Sequence, residues 1–175
     1  MNSDQILLDG TEIGLSALSR LAAGQGRVVV PDEALRRVAQ GRADFLTALD
    51  DGQQIYGATT GVGALKDVEQ HGAEMLDYAR ALPFAHQVAV GEEVAPETVR
   101  LAVALRLNTA LTGKAGVSSE FVAFLQAMLA HDLLPVMNRR GSAGAADLGQ
   151  MGQLATVMAG AGMARLKGEV MPAAE

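Results

Sequence analysis

One stretch restricts the folds open to this chain more than any other. Between Pro96 and Gly113, the residues Val99, Leu101, Ala102, Val103, Ala104, Leu105, Leu107, Ala110 and Leu111 put apolar side chains on nearly every side of a helix. Pro96 followed by Glu97 suits the opening turn, and Gly113 suits the C-terminal cap. Such a helix is stable only when surrounded, so the rest of the chain must wrap it. The wrapping is expected to be helical too. Aromatic residues make up only 3% of the 175 residues, and tryptophan is absent. Alanine, leucine, valine and methionine must therefore build the core, a mixture that packs helices better than it fills a β-sandwich. The length suffices for one domain with a real core, and the chain reads as a single domain over 1–175.

The remaining elements are read from their boundary signals. A first helix is predicted over about 11–23, ending at a turn that holds Gly24 and Gly26. Arg27-Val28-Val29-Val30 reads as a short extended piece stopped by Pro31. Asp32 and Glu33 then stand where the positive end of a second helix favours acids, and that helix runs to about 49. Residues 56–63, Tyr-Gly-Ala-Thr-Thr-Gly-Val-Gly, form a glycine-punctuated loop. A third helix is predicted over about 67–88, with Pro83 inside it. Ser118 caps a fifth, in which Phe121, Phe124, Leu125, Met128 and Leu129 keep amphipathic spacing. A second glycine-rich loop at 140–146 leads into a last helix from about 147, lined by Met151, Leu154, Ala155 and Met158. The expected fold class is all-α, with two glycine-rich loops between helices.

Charge and composition then remove whole classes of function. A net charge of −6 without any basic run argues against nucleic acid and anionic membrane surfaces. The absence of cysteine excludes disulfides, thiolate catalysis and cysteine-ligated zinc. His71, His86 and His131 are scattered, and no helix pairs two ligands at i and i+4, so no metal is expected. No apolar run approaches the roughly 20 residues of a membrane span. The opening Met-Asn-Ser-Asp-Gln has no leader pattern, and the expected location is the cytoplasm. A hydrophobic content of 49% is high for this size and fits a chain that buries surface against a partner.

Candidate chemistry rests on few residues. Tyr56 stands at the edge of the first glycine loop, where flexible backbone could carry it to a substrate for proton transfer. Read alone, it is more simply a packing or hydrogen-bonding residue. The loop is no phosphate cradle, because Gly57, Gly61 and Gly63 lack the spacing and no Gly-Lys-Ser/Thr comes after them. His86 stands just after Pro83-Phe84 in an apolar stretch, where a satisfied core histidine is the plain alternative. Ser142 has no Gly-x-Ser-x-Gly elbow around it. Asp147 most simply caps the helix after it.

Tyr56 to Gly63, Phe84-Ala85-His86, Arg106 to Gly113, Arg140 to Ala145 and Ala164 to Gly168, taken in order, resemble the histidine/aromatic amino-acid ammonia-lyase family. Tyr56 through Gly63 is similar to its lid loop, Tyr-Gly-x-Asn-Thr-Gly-Phe-Gly. Phe84-Ala85-His86 resembles its Leu-Ser-His segment. The run from Arg106 through Asn108 to Gly113, with Gly116, is similar to Arg-x-Asn-x-Leu-x-x-Gly-x-Ser-Gly. Leu134-Pro135-Val136 and then Arg140 to Ala145 resemble the approach to Gly-Ser-Val-Gly-Ala-Ser-Gly-Asp-Leu, and Ala164 to Gly168 resembles the family's next segment. The likeness begins near residue 5 and covers nearly the whole chain. It implies the N-terminal helical domain of the family. It also implies that Tyr56 is the catalytic lid tyrosine and that His86 lines the substrate pocket. Thr59 and Gly63 in the lid would contact substrate, and Asn108 and Asp147 would lie near the cofactor.

The family makes that cofactor, methylidene-imidazolone, by cyclising and dehydrating Ala-Ser-Gly. Here the matching residues are Gly144-Ala145-Ala146-Asp147-Leu148, one residue short and without a serine before a glycine. Ring closure needs the nitrogen after the serine, and dehydration needs its hydroxyl. Ser142 is followed by Ala143, so no cofactor is expected to form. The lid asparagine is Thr59 and the lid phenylalanine Val62. Because Tyr56 and His86 persist in matching positions in a chain so apolar, the resemblance implies the small subunit of a split ammonia-lyase-like enzyme, acting on an amino acid or related small molecule without the cofactor. A second chain, or further copies of this one, would supply the remaining helical bundle. A non-catalytic partner subunit and the N-terminal fragment of a longer lyase are the alternative readings.

Overall fold

The computed structural model describes residues 4–142, 144 and 148–175. In chain order the elements are β1 (Gln5–Leu7), α1 (Leu15–Ala22), β2 (Arg27–Val29), α2 (Asp32–Asp50), α3 (Gly72–His86), β3 (Val90–Glu93), α4 (Pro96–Ala110), α5 (Ser119–His131), β4 (Leu133–Pro135), β5 (Asn138–Arg140), α6 (Leu148–Met158), β6 (Met163–Leu166) and β7 (Glu169–Pro172).

The predicted central helix is α4. Its Val99, Val103, Ala104, Leu107 and Ala110 are buried and join Leu21 of α1, Val38 of α2, and Val122, Leu125 and Met128 of α5 in one core. α4 packs directly on α1 and α5, and α3 lies along α6. The burial of α4 is not complete. Leu105 is 47% exposed, and Arg106 and Thr109 share its open surface.

The chain is not all-α. Three small sheets accompany the helices: β1 with β2 in parallel, β3 with β5 antiparallel, and β4-β6-β7 antiparallel. Strands of three or four residues have no readable period, and except in the β6–β7 hairpin their partners lie far along the chain, which is why only the Arg27–Val29 piece is legible in the sequence. The β4–β6 ladder sets Leu134 opposite Arg165 and buries Leu134 against the core.

Two helix starts also shift. α1 begins at Leu15 rather than near 11, because polar side chains capture the preceding backbone. Asn108 Oδ1 accepts from the Gly10 amide at 2.9 Å, its Nδ2 donates to the Thr11 carbonyl at 2.7 Å, and Asp9 Oδ1 accepts from the Thr11 amide at 2.9 Å. The Thr11 hydroxyl also donates to Asp9, and these bonds hold the Asp9 carboxyl below its ordinary range. α3 begins at Gly72 rather than near 67. The Gln70 amide is taken by the Thr59 carbonyl at 2.8 Å, and Thr60 bridges to Glu69, so this stretch closes the glycine loop instead of extending the helix.

Candidate active site

The first glycine loop is a folded turn. Thr59 Oγ1 accepts from the Ile55 amide at 2.7 Å, and the Gly61 amide donates to the Val68 carbonyl at 3.0 Å. Thr60 is buried, and its hydroxyl donates to the Gly61 carbonyl at 3.0 Å. Gly63 takes φ +59°, a left-handed conformation that side chains disfavour. From that position its amide donates to the Tyr56 hydroxyl at 2.9 Å, tying the far end of the loop to the tyrosine that starts it. The neighbouring Val62 amide donates to the Tyr78 hydroxyl of α3 at 3.0 Å.

Tyr56 and Gly63 open onto a cleft of about 650 Å³. His86 lines it from the end of α3, beyond Leu82 and Pro83. Met151, Ala155 and Met158 line it from α6, Phe121 from α5, and Arg106 from α4. The walls are mainly apolar, and the polar groups are Tyr56, His86 and Arg106. This is the usual make-up of a small-molecule site, with a few polar groups set in an apolar wall. His86 Nδ1 lies 2.9 Å from the Leu82 carbonyl oxygen. A carbonyl can only accept, so Nδ1 carries hydrogen and Nε2 is the acceptor of the neutral ring. The Arg106 guanidinium lies over the Phe121 ring, 6.0 Å from its centroid. Tyr56 is 65% exposed, so its hydroxyl is open to an incoming molecule.

The cleft therefore unites three of the residues expected from sequence: Tyr56, Gly63 and His86. Thr59 and Asn108 do not line it. The Thr59 hydroxyl is used inside the loop, and the Asn108 amide fastens the segment before α1. Gly144 lies outside the cleft lining, with its amide donating to Ser142 Oγ at 3.1 Å. Ala145, Ala146 and Asp147 fall outside the described residues. Between Gly144 and Leu148 the chain offers no serine hydroxyl to lose, so these residues do not fit a methylidene-imidazolone. Among the described residues, no cluster of three or more histidines and carboxylates could hold a metal ion, and no helix is long and apolar enough to cross a membrane.

Sequence reasoning missed what brings the walls together. A β-carbon on Gly152 of α6 would lie 2.5 Å from the carbonyl carbon of His86 and 2.6 Å from its oxygen. α6 can thus approach the end of α3 only where it has no side chain, and that approach sets His86 in place. Gly149, one turn earlier, meets the Gly141 carbonyl in the same way, at 2.8 Å. Two glycines three apart in a helix were the available signal. Gly152→Ala should cost about 1–3 kcal/mol through overpacking. The check is thermal or denaturant unfolding, where an unchanged midpoint would show that the two helices can separate freely.

A family model described as aromatic amino acid lyase matches residues 13–175. A probable histidine ammonia-lyase of Thermoplasma volcanium is 32% identical over 167 residues, which is 95% of this chain and 34% of the relative. Ergothionase of Treponema denticola, an ergothioneine-degrading enzyme solved with desmethyl-ergothioneine sulfonic acid, superposes with a TM-score of 0.93 at 29% identity, over 97% of this chain and 34% of that one. Tyrosine aminomutase of Streptomyces globisporus superposes with a TM-score of 0.90 at 26% identity, over 97% of this chain and 32% of that one. The chain thus spans about a third of the length of the curated relatives it matches.

Proposed function

The chain belongs to the aromatic amino acid lyase family, and on that premise we propose that it is the small subunit of a lyase that eliminates an amine without methylidene-imidazolone. A second chain carries the remaining helices and closes the open side of the cleft. The observation that carries this reading is that Tyr56 and His86 line one apolar cleft, in a chain whose residues 144–148 include no serine.

The groups present set the chemistry. Tyr56, acting as the phenolate, takes a proton from the substrate carbon β to the amine and becomes the phenol. The C–H electron pair becomes the new carbon–carbon double bond, and the carbon–nitrogen bond breaks. A primary amine leaves poorly from such a carbanion unless an electrophile has captured it. A quaternary ammonium leaves as a neutral tertiary amine and needs neither electrophile nor proton. The substrate class that suits this cleft is accordingly an amino-acid betaine, the kind of molecule that ergothioneine is. The apolar wall of Phe121, Met151 and Met158 receives the side chain of such a molecule, and His86 Nε2 offers it one acceptor.

The test is amine release by the native assembly, purified with whatever chain accompanies this one. Trimethylamine released from a histidine or ergothioneine betaine, with no ammonia from histidine or phenylalanine, is the expected result. Ammonia release from an unmethylated amino acid at a comparable rate would overturn the reading. So would a chain mass short by the two waters that ring closure and dehydration expel.

A further inference from the structure

We propose that Tyr78 is a positioning residue that sets the angle of Tyr56 through the glycine loop. Two successive amides of this loop donate to the hydroxyls of two different tyrosines, Val62 to Tyr78 at 3.0 Å and Gly63 to Tyr56 at 2.9 Å. The Val62 bond is, among the described residues, the one hydrogen bond between residues 56–63 and α3. The same helix ends in His86, eight residues on, roughly 12 Å along its axis at 1.5 Å per residue. Tyr78 thus references the loop to the helix that carries the other polar group of the cleft.

The arrangement works as a two-point mount. Gly63 alone would fix the distance between its amide and the Tyr56 oxygen but not the orientation of the pair relative to α3. The Val62 bond supplies the second anchor, one peptide away. Tyr78 does not itself line the cleft, while the next residue, Ala79, does. Its ring is half-buried and its hydroxyl meets the loop backbone rather than solvent alone. Removing that one oxygen leaves a half-buried amide with a weaker partner in water, and the loop loses its tie to the helix. Tyr56 keeps its own contact with Gly63, but both now move together.

Tyr78→Phe removes the oxygen and keeps the ring, so the fold is retained. Hydrogen exchange read on the assembly should show the Val62 and Gly63 amides exchanging about threefold to tenfold faster, with the amides of α4 and α5 unchanged. Unchanged exchange at Val62 overturns the proposal. The catalytic arm rests on the amine-releasing reading above. There, kcat on the betaine should fall by a similar factor with KM little changed, and the fall should vanish when Tyr56 is already phenylalanine. A loss of equal size in the Tyr56→Phe background would mean that Tyr78 does not act through Tyr56, and would overturn it. If the unaltered assembly releases no amine, the function assigned above fails, while the exchange measurement still decides the tie between Tyr78 and the loop.

Discussion

Tyr56→Phe should lower amine-releasing turnover by ~10²–10⁴-fold, the usual contribution of one general acid–base group. Its effect on stability should stay within about 1 kcal/mol, because the exposed hydroxyl makes a single hydrogen bond, to the Gly63 amide. That separation gives the substitution its value. A residue that packs would lower stability and leave rate alone, whereas a proton-transfer residue does the reverse. Turnover of the native assembly and its unfolding midpoint, measured side by side, distinguish the two. Unchanged turnover would reduce Tyr56 to a loop residue and remove the main support for catalysis in this chain.

Gly41→Ala should be the most destabilising small substitution in the molecule. Gly41 lies in the middle of α2, where a β-carbon would overlap the Gly113 carbonyl oxygen and sit 2.8 Å from its carbon. Gly113, just past the end of α4, is itself confined. Its φ is +75°, and a β-carbon there would lie 2.5 Å from the Arg37 carbonyl oxygen, one turn earlier on α2. Backbone thus meets backbone from both sides, and no side chain is free to swing aside. The cost should exceed the about 1–3 kcal/mol usual for overpacking, with a fall in Tm of about 10 °C or more. Gly14→Ala provides the contrast, since nothing lies within 4 Å of that position and its φ is −65°. It should stay within about 1 kcal/mol of the parent. Equal melting temperatures for the two variants would show that α2 and α4 can move apart at little cost.

Tyr56 is tied to the far end of the glycine loop, while His86 is held both within α3 and by the close approach of α6 at Gly152. Ergothionase and tyrosine aminomutase carry different names on this one scaffold, which fits a fold whose reaction is set by site residues.

Much of the architecture could be read from the chain alone, wherever one local pattern was strong enough. The apolar run after Pro96 placed α4 in the core. Ser118, whose Oγ accepts from the Phe121 amide at 3.3 Å, opens α5 as expected of a cap. Pro31 with Asp32 and Glu33 marked the start of α2. Tyr56 and His86 could be picked out because each stands in a motif similar to a known family's, and the missing serine was plain in the sequence. Other features depended on partners distant in the chain. The short strands exist only where β1 finds β2, β3 finds β5 and β4 finds β6. Thr59 and Asn108 are polar residues in promising motifs, yet folding commits both to nearby backbone. Gly41 and Gly152 look like weak points in helices until the packing shows that each is a point of backbone contact. The cleft itself, with Arg106, Phe121 and Met151 arriving from three helices, was decided only by tertiary structure. Periodicity reports which face of an element is buried, because burial leaves its mark every few residues. It carries no record of which element lies across from that face, and that pairing makes the site.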